Sequence, residues 1–334
     1  MSCANARVPG AMNDHTDTPE STTPDSSRPD SHTHVPVMLS EALDALNVRA
    51  DGAYLDGTFG RGGHARALLQ RLGPRGRLLL MDRDPTAIAA ARREFGDDVR
   101  VAIRHGNFAD LCDWDATADG LDGVLLDLGV SSPQLDDAAR GFSFQADAPL
   151  DMRMDTSHGE SAAEFLARAS EAQIEQVLWK FGEERMGRRI ARAIVEHRQT
   201  SPIARTSELA DLIARTLGRR EAGKHPATRS FQALRIAVNG ELDALTHGLR
   251  AALQRIKPGG RLVVISFHSL EDRMVKQFLR AESQAPPARR SAPPPQSVSL
   301  RLKLAGAAQF PGAAEIARNP RSRSAVLRVA ERLA

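Results

Sequence analysis

Apolar positions in the first third of the chain come in short runs separated by stretches with helical spacing. Tyr54-Leu55, Arg77 to Met81, Val99 to Ile103 and Val124 to Leu128 read as strands, and patterns such as Ala87 to Phe95 between them read as amphipathic helices. Leu39 to Leu46 forms an earlier amphipathic stretch. This alternation is the rhythm of βαβ units and predicts a mostly parallel sheet. The rhythm stops at Ser131-Ser132-Pro133, and from about Leu135 to Asn239 no strand-like run appears. Instead Ile174, Val177, Leu178 and Phe181, and then Ile190, Ala193, Ile194 and His197, fall at helical spacing. Leu242, Leu245, Leu249, Leu253 and Ile256 mark one face of a further helix, expected to stop at Lys257-Pro258-Gly259-Gly260, with the strand Arg261 to Phe267 directly after it. A helix from Ser269 to Leu279 precedes a Pro-rich segment, Ala285 to Pro295, where missing N–H groups predict a loop. The alternation of Val298, Leu300, Leu302 and Leu304, with parts of Ala325 to Val329, predicts a closing strand pair.

The pattern divides the chain. Residues 1–33, rich in Ser, Thr, Pro and Asp, read as a disordered tail. Residues 34–134 and 241–334 form one discontinuous α/β domain carrying a flexible loop at 285–295, and residues 135–240 form a helical insertion. At 334 residues and 41% apolar content the chain can bury a sizeable core in two domains. Its longest apolar runs fall far short of the roughly 20 residues that span a bilayer, and its start lacks a basic and apolar leader. No membrane association and a cytoplasmic location are expected. With Cys3 and Cys112 alone, neither a disulfide framework nor a cysteine-built zinc site is expected, and the ten histidines show no metal-ligand spacing.

Charge changes the picture only through its distribution. The net charge is +3, but Lys180 to Arg235 holds 13 basic against 6 acidic residues and Arg280 to Ala334 holds 10 against 3. Such regions serve either as solvated helix faces or as a footprint for a polyanion, and charge alone does not decide between them.

The candidate chemistry lies where the predicted strands end. After Tyr54-Leu55-Asp56 the chain breaks into Gly57-Thr58-Phe59-Gly60-Arg61-Gly62-Gly63-His64, a glycine-rich turn that lets a ligand approach the backbone ahead of a helix starting near Ala65. The spacing is not that of the dinucleotide fingerprint, and a plain tight turn explains it as well. Asp82 ends the next strand, some twenty residues on, where a carboxylate can accept hydrogen bonds from ribose hydroxyls. Phe108, after the third strand, suits either the flank of an adenine or the core. Asp127 ends the fourth strand and should face the same crevice, since ligands of open α/β sheets sit beyond the carboxyl ends of the strands. Nicotinamide and S-adenosylmethionine enzymes share these features. The choice comes from the C-terminal half, where a helix, Lys257-Pro258-Gly259-Gly260, an apolar strand, a helix and a final strand pair resemble the closing part of class I methyltransferases.

The resemblance becomes specific in long ordered motifs: Tyr54 to His64, Met81 to Pro85, Leu125 to Phe144, Pro149 to Met154, His225-Pro226-Ala227-Thr228-Arg229, Ser266 to Arg273 and Asn319-Pro320-Arg321. Over about 300 residues the chain resembles the ribosomal RNA small-subunit methyltransferase H family, bacterial enzymes that methylate the exocyclic N4 of a 16S ribosomal RNA cytidine near the decoding centre. The resemblance implies a Rossmann-like class I methyltransferase domain with an inserted helical domain that helps to hold RNA, and S-adenosylmethionine as cofactor. The family's cofactor contacts fall on Gly62, Gly63, His64, Asp82, Phe108, Asp127 and Gln134. It implies 16S ribosomal RNA within the small subunit as partner, and leaves a homodimer open.

Methylating cytosine N4 requires attack by an amine whose lone pair is drawn into the ring, so orientation and proton acceptance matter most. Asp127 is the catalytic candidate, with Ser131 and Ser132 beside it. Amino-methylating DNA enzymes commonly place Asp, Asn or Ser before Pro-Pro and an aromatic here, whereas this chain has Asp127-Leu128-Gly129-Val130. Methylation at C5 would need a cysteine nucleophile, and neither cysteine is suitably placed. Arg188, Arg189 and Arg192 are candidates for phosphate contacts, with Lys180 and Arg185 nearby, and His225, Arg229, His268 and Arg273 for the substrate cleft. The competing readings are a non-catalytic RNA-binding assembly protein with a methyltransferase fold, a methyltransferase with another acceptor, and a nicotinamide oxidoreductase.

Overall fold

Strands buried on both faces and glycine-driven breaks at their ends organise the chain. The computed structural model describes residues 36–218, 225–285 and 299–334. The tail read at residues 1–33, most of the Pro-rich loop and Val298 lie outside the described residues. The first half runs α1 (Leu39–Leu46), β1 (Ala53–Asp56), α2 (Gly63–Arg71), β2 (Arg77–Asp82), α3 (Pro85–Phe95), β3 (Val101–His105) and β4 (Leu121–Asp127). The helical stretch that follows is α4 (Ser132–Asp136), α5 (Ala162–Arg168), α6 (Glu171–Gly182), α7 (Gly187–Arg198), α8 (Thr206–Leu217) and α9 (Thr228–Asn239). The last part is α10 (Glu241–Arg255), β5 (Ile256–Ser266), α11 (Ser269–Ser283), β6 (Leu302–Leu304), α12 (Ala313–Arg318) and β7 (Val326–Arg332).

The strands form one sheet in the order β3-β2-β1-β4-β5-β7-β6. Pairing is parallel from β3 through β5, while β7 runs antiparallel to both β5 and β6. Alternate residues feed two cores. Tyr54, Leu78, Leu80 and Leu125 pack with Leu43, Leu68 and Phe95 of α1 to α3. Leu55, Leu79, Met81, Val124 and Leu126 pack with Leu245, Leu249 and Leu279 of α10 and α11 on the other face. Each such buried leucine contributes roughly 2 kcal/mol of transfer free energy. The α5–α9 helices build a third core around Leu166, Ile174, Leu178, Ile190, Ile194, Leu209 and Leu234. This is the Rossmann-like methyltransferase architecture with a helical insert that the sequence leads one to expect.

Several boundaries differ from expectation by a few residues, β4 for one beginning already at Leu121, and two of them have a clear local cause. The third strand begins at Val101, because Asp98 turns the chain there: its carboxylate accepts the Arg100 N–H at 2.9 Å and its carbonyl accepts the Val101 N–H at 2.9 Å, leaving Val99 exposed. The segment Lys257 to Gly260 does not separate a helix from a strand. Ile256 already pairs with Leu121 and Arg261 with Gly123, so four residues bulge opposite Asp122. Gly260 is required at the base of the bulge, where a Cβ would lie 3.0 Å from the carbonyl oxygens of Leu121 and Asp122. No helix among the described residues is long and apolar enough to cross a membrane.

Candidate cofactor and catalytic site

The sheet order reverses direction between β1 and β4, which opens a crevice at the carboxyl ends of the strands. Asp82, Asp56 and Asp127 end the neighbouring strands β2, β1 and β4 there. Gly60 and Gly62 take φ values of 54° and 73°, turning the chain from β1 into α2. Gly63 fits against Pro36, since a Cβ on it would come 2.1 Å from the proline Cγ. The loop is tied to β2 through Asp82, whose carboxylate accepts the Gly60 N–H at 2.8 Å and the Asp84 N–H at 2.8 Å. Burial pushes the Asp82 carboxyl up to about 6, with those two amides limiting the rise.

Asp56 and Asp127 carry the strongest polar tension. One Asp56 oxygen accepts the Thr58 N–H at 3.1 Å, but Oδ2 is buried without a partner, as is Asp127 Oδ1. Burial pushes Asp56 up to about 7, with neighbouring Asp82 adding to the shift. It pushes Asp127 well above the usual carboxylate range, with the charges of Asp56 and Glu271 adding to the effect. The Asp127 backbone is held by its N–H to Thr58 Oγ1 at 2.6 Å. Asp127 Oδ2 lies 3.7 Å from Nδ1 of the buried His64, whose Nε2 is 3.2 Å from the Val37 carbonyl oxygen. That carbonyl can only accept, so Nε2 carries the hydrogen and Nδ1 presents a lone pair to Asp127. Burial holds the imidazole neutral, down at about 4.

Orphaned carboxylate oxygens beside a glycine cradle suit a ligand that brings its own positive charge and N–H donors. The described donor set thus fits S-adenosylmethionine, a sulfonium with an ammonium group and ribose hydroxyls. Phe108 opens the turn after β3 and packs, partly buried, against the second core, where Gly57 and Gly248 make room for it. Gln134 is differently employed. Its Oε1 accepts the Ser131 N–H at 2.9 Å and its Nε2 donates to Asp84 Oδ2 at 2.9 Å, so both ends of the amide hold the loop after β4 against β2. Arg140 Nη1 adds a 2.8 Å bond to the same Asp84 oxygen. These bonds, with that from Thr86, outweigh burial and hold Asp84 below the usual carboxylate range.

The far wall is an ion-pair network that the sequence reading did not assemble. Glu271 Oε2 accepts the Phe267 N–H at 3.0 Å, and His268 Nε2 lies 3.0 Å from Glu271 Oε1. His268 Nδ1 accepts the Glu271 N–H at 3.4 Å, which places the imidazole hydrogen on Nε2. Burial opposes ionisation of Glu271, but His268 and Arg235 outweigh it and hold the carboxyl low. Arg235 in turn donates two 2.9 Å bonds to Glu241. Glu241, His268 and Glu271 offer ligand atoms within 4.8 Å of one another, yet the Arg235 guanidinium already occupies both Glu241 oxygens.

The structure thus brings Gly62, Gly63, His64, Asp82, Phe108 and Asp127 to one crevice, with Gln134 bracing its loop. It places the substrate candidates on separate elements. His225 stacks on Phe144 with ring centroids 4.6 Å apart, just before α9, and Arg229 lies in the first turn of that helix. Arg273 reaches Glu183 at 3.4 Å. Arg188, Arg189 and Arg192 are exposed on α7. Asp56, Asp84, Arg140, Arg235 and Glu241 join the site beyond the residues expected from the sequence. Asp56 carries the same signal as Asp82 and Asp127, an acid closing a buried strand, whereas the partners of the others lie tens of residues away or on another element.

The profile of the MraW methylase family matches residues 31–333. The chain is 59% identical over 299 residues to a ribosomal RNA small subunit methyltransferase H of Stenotrophomonas maltophilia, covering 90% of this chain and 93% of that one. It is 59% identical over 300 residues to the protein of that name from Xanthomonas euvesicatoria (90% and 89% covered), and 58% identical over 306 residues to that of Xylella fastidiosa (90% and 97% covered).

Proposed function

Because the chain belongs to the MraW methylase family, among the ribosomal RNA small subunit methyltransferases H, we infer that it methylates the exocyclic N4 of a cytidine in 16S ribosomal RNA. S-adenosylmethionine supplies the electrophilic methyl group when bound. Gly62, Gly63 and the α2 amides would cradle the cofactor, Asp82 would take the ribose hydroxyls and Phe108 would flank the adenine. The observation that carries the reading is the pair of orphaned oxygens on Asp56 and Asp127, at the centre of the crevice where cationic and N–H-bearing groups are required.

Asp127 is the residue we assign to the acceptor amine. A carboxylate accepting one N4–H bond fixes the amine and turns its lone pair out of conjugation with the ring, which is the costly part of the attack. The raised proton affinity of Asp127 equips it to take the proton that the alkylated amine must shed. His64, neutral and with its lone pair towards Asp127, supports that role without competing for charge.

We assign residues 135–240 to substrate recognition, with Arg188, Arg189 and Arg192 as phosphate contacts, and place the reaction in the cytoplasm on the small ribosomal subunit. The direct test supplies tritiated S-adenosylmethionine and the purified protein to small subunits from cells lacking this modification. Label in N4-methylcytidine after digestion supports the reading; cofactor binding without transfer, or label in another nucleoside, overturns it.

A further inference from the structure

Trp179 is 65% exposed on the last turn of α6, an unusual place for a large aromatic ring in a water-facing helix. Its surroundings are cationic. Gly187 lets the start of α7 close on α6, since a Cβ there would sit 3.3 Å from Leu178 Cβ and 3.8 Å from the Trp179 nitrogen. The exposed side chains around this junction are Lys180, Glu183, Arg185, Met186, Arg188 and Arg189, with Arg192 one turn further along α7. Met186 is 42% exposed. Among the described residues none of these four arginines has an acidic partner, whereas nearby Glu183 is held by Arg273 and Glu184 is buried with the Met186 N–H on it. The junction also leads to the crevice, because Arg273 belongs to α11, whose first turn carries Glu271 beside His268.

An exposed indole among unpaired guanidiniums matches the chemistry of a single-stranded nucleic acid, whose bases stack on aromatic faces while its phosphates meet arginines. A duplex keeps its bases stacked on one another and presents backbone and groove edges but no open base face. We propose that Trp179 is a stacking platform for an unpaired base of the RNA substrate, with Arg185, Arg188, Arg189 and Arg192 holding the flanking phosphates. This rests on the reading of the chain as an RNA methyltransferase and adds the strandedness of the RNA it grips and the residue that reads it.

The chain contains two tryptophans, so Trp179→Phe leaves Trp114 as the other emitter. The full chain is titrated with a ten-nucleotide single-stranded RNA and with a duplex of equal length, following tryptophan fluorescence. The proposal expects quenching by the single strand, absent in Trp179→Phe and absent with the duplex. It expects Trp179→Ala to weaken single-strand binding about tenfold, Trp179→Phe to restore most of that loss, and S-adenosylmethionine binding to be unchanged in both. Replacing Arg188, Arg189 and Arg192 by Ala should flatten the salt dependence of binding. Quenching that persists in Trp179→Phe, or equal binding by Trp179→Ala, overturns the proposal. Weakened capture of intact subunits with unchanged oligonucleotide binding also overturns it, and assigns the surface to a ribosomal protein. Methyl transfer by the unaltered chain is measured alongside: transfer without any Trp179 effect refutes this proposal alone, and no transfer refutes the reading beneath it.

Discussion

At the scale of single residues, the site is built from carboxyl groups drawn back from water, two of which, Asp56 and Asp127, each keep one oxygen without a partner. Asp127→Asn keeps the shape but removes the proton acceptor. It is expected to lower the single-turnover methylation rate by about 10²-fold or more while leaving the thermal midpoint of the cofactor-free protein unchanged or higher. Wild-type turnover in that variant would remove the carboxylate from the mechanism. Asp56 makes a pH-dependent prediction. Its carboxyl stands at about 7 in the fold against 3.8 when exposed. A carboxyl that binds its proton more tightly when folded contributes stability that is complete below the unfolded value and is lost as pH rises through the folded one. The cofactor-free protein should therefore lose stability between about pH 4 and pH 7 at this site, at most about 4 kcal/mol. Asp56→Asn should flatten that slope and raise the midpoint at pH 8; melting curves at pH 5 and pH 8 for both proteins check it. Asp82 and Asp127 were legible in the sequence because an acid closing an apolar strand stands out against its neighbours. The occupation of Gln134 was not, because its partner Asp84 lies fifty residues earlier and only the fold brings them within 2.9 Å.

At the scale of elements, periodicity located every strand of the parallel sheet, and its misses have local causes. Val99 is apolar and precedes Arg100, but the Asp98 turn claims it, and no period-two count can see a turn made by one carboxylate. Lys257-Pro258-Gly259-Gly260 has the composition of a break, yet Gly259 at φ 78° lets the strand bulge and continue. The packing of α10 against the turn after β3 depends on a residue whose role composition hides. A Cβ on Gly248 would come 2.3 Å from Phe108 Cδ2 and 2.6 Å from Cε2, so the glycine sets where that ring stands. Gly248→Ala should push the ring and weaken S-adenosylmethionine binding about three- to tenfold, while Phe108→Ala in the same background should add little, since the two changes act on one contact. Calorimetric titration of the single and double variants measures the coupling; independent, additive losses would detach Gly248 from the cofactor site.

At the scale of the whole molecule, the helical insert was visible as a change of period, but not how firmly it is joined to the sheet. The described residues from 36 onwards fall in one compact unit, and polar ties cross between its parts. Arg83, at the end of β2, donates to the Asn239 carbonyl at 2.7 Å, while the Asn239 side chain holds Met152 and Met154 of the insert at 2.7 Å each. Arg235 of α9 sits between two buried carboxylates, Glu241 at the start of α10 and Glu271 at the start of α11. Removing the cation would strip Glu241 of both its hydrogen bonds and leave Glu271 to His268 and the Phe267 N–H, and removing one partner of a buried pair typically costs about 3–5 kcal/mol. Arg235→Met should therefore lower stability by that order, with the insert and the sheet still unfolding in one transition because the damage lies on their shared seam. Glu241→Gln in addition should recover part of the loss by withdrawing one orphaned charge. Denaturant unfolding followed by far-ultraviolet circular dichroism and by tryptophan emission distinguishes the cases, since Trp179 reports on the insert and Trp114 on the sheet. Coincident transitions would mean that the insert is a structural part of the catalytic body. Separate ones would mean that it folds alone, and that the buried arginine serves the geometry of Glu271 and His268 more than the cohesion of the chain.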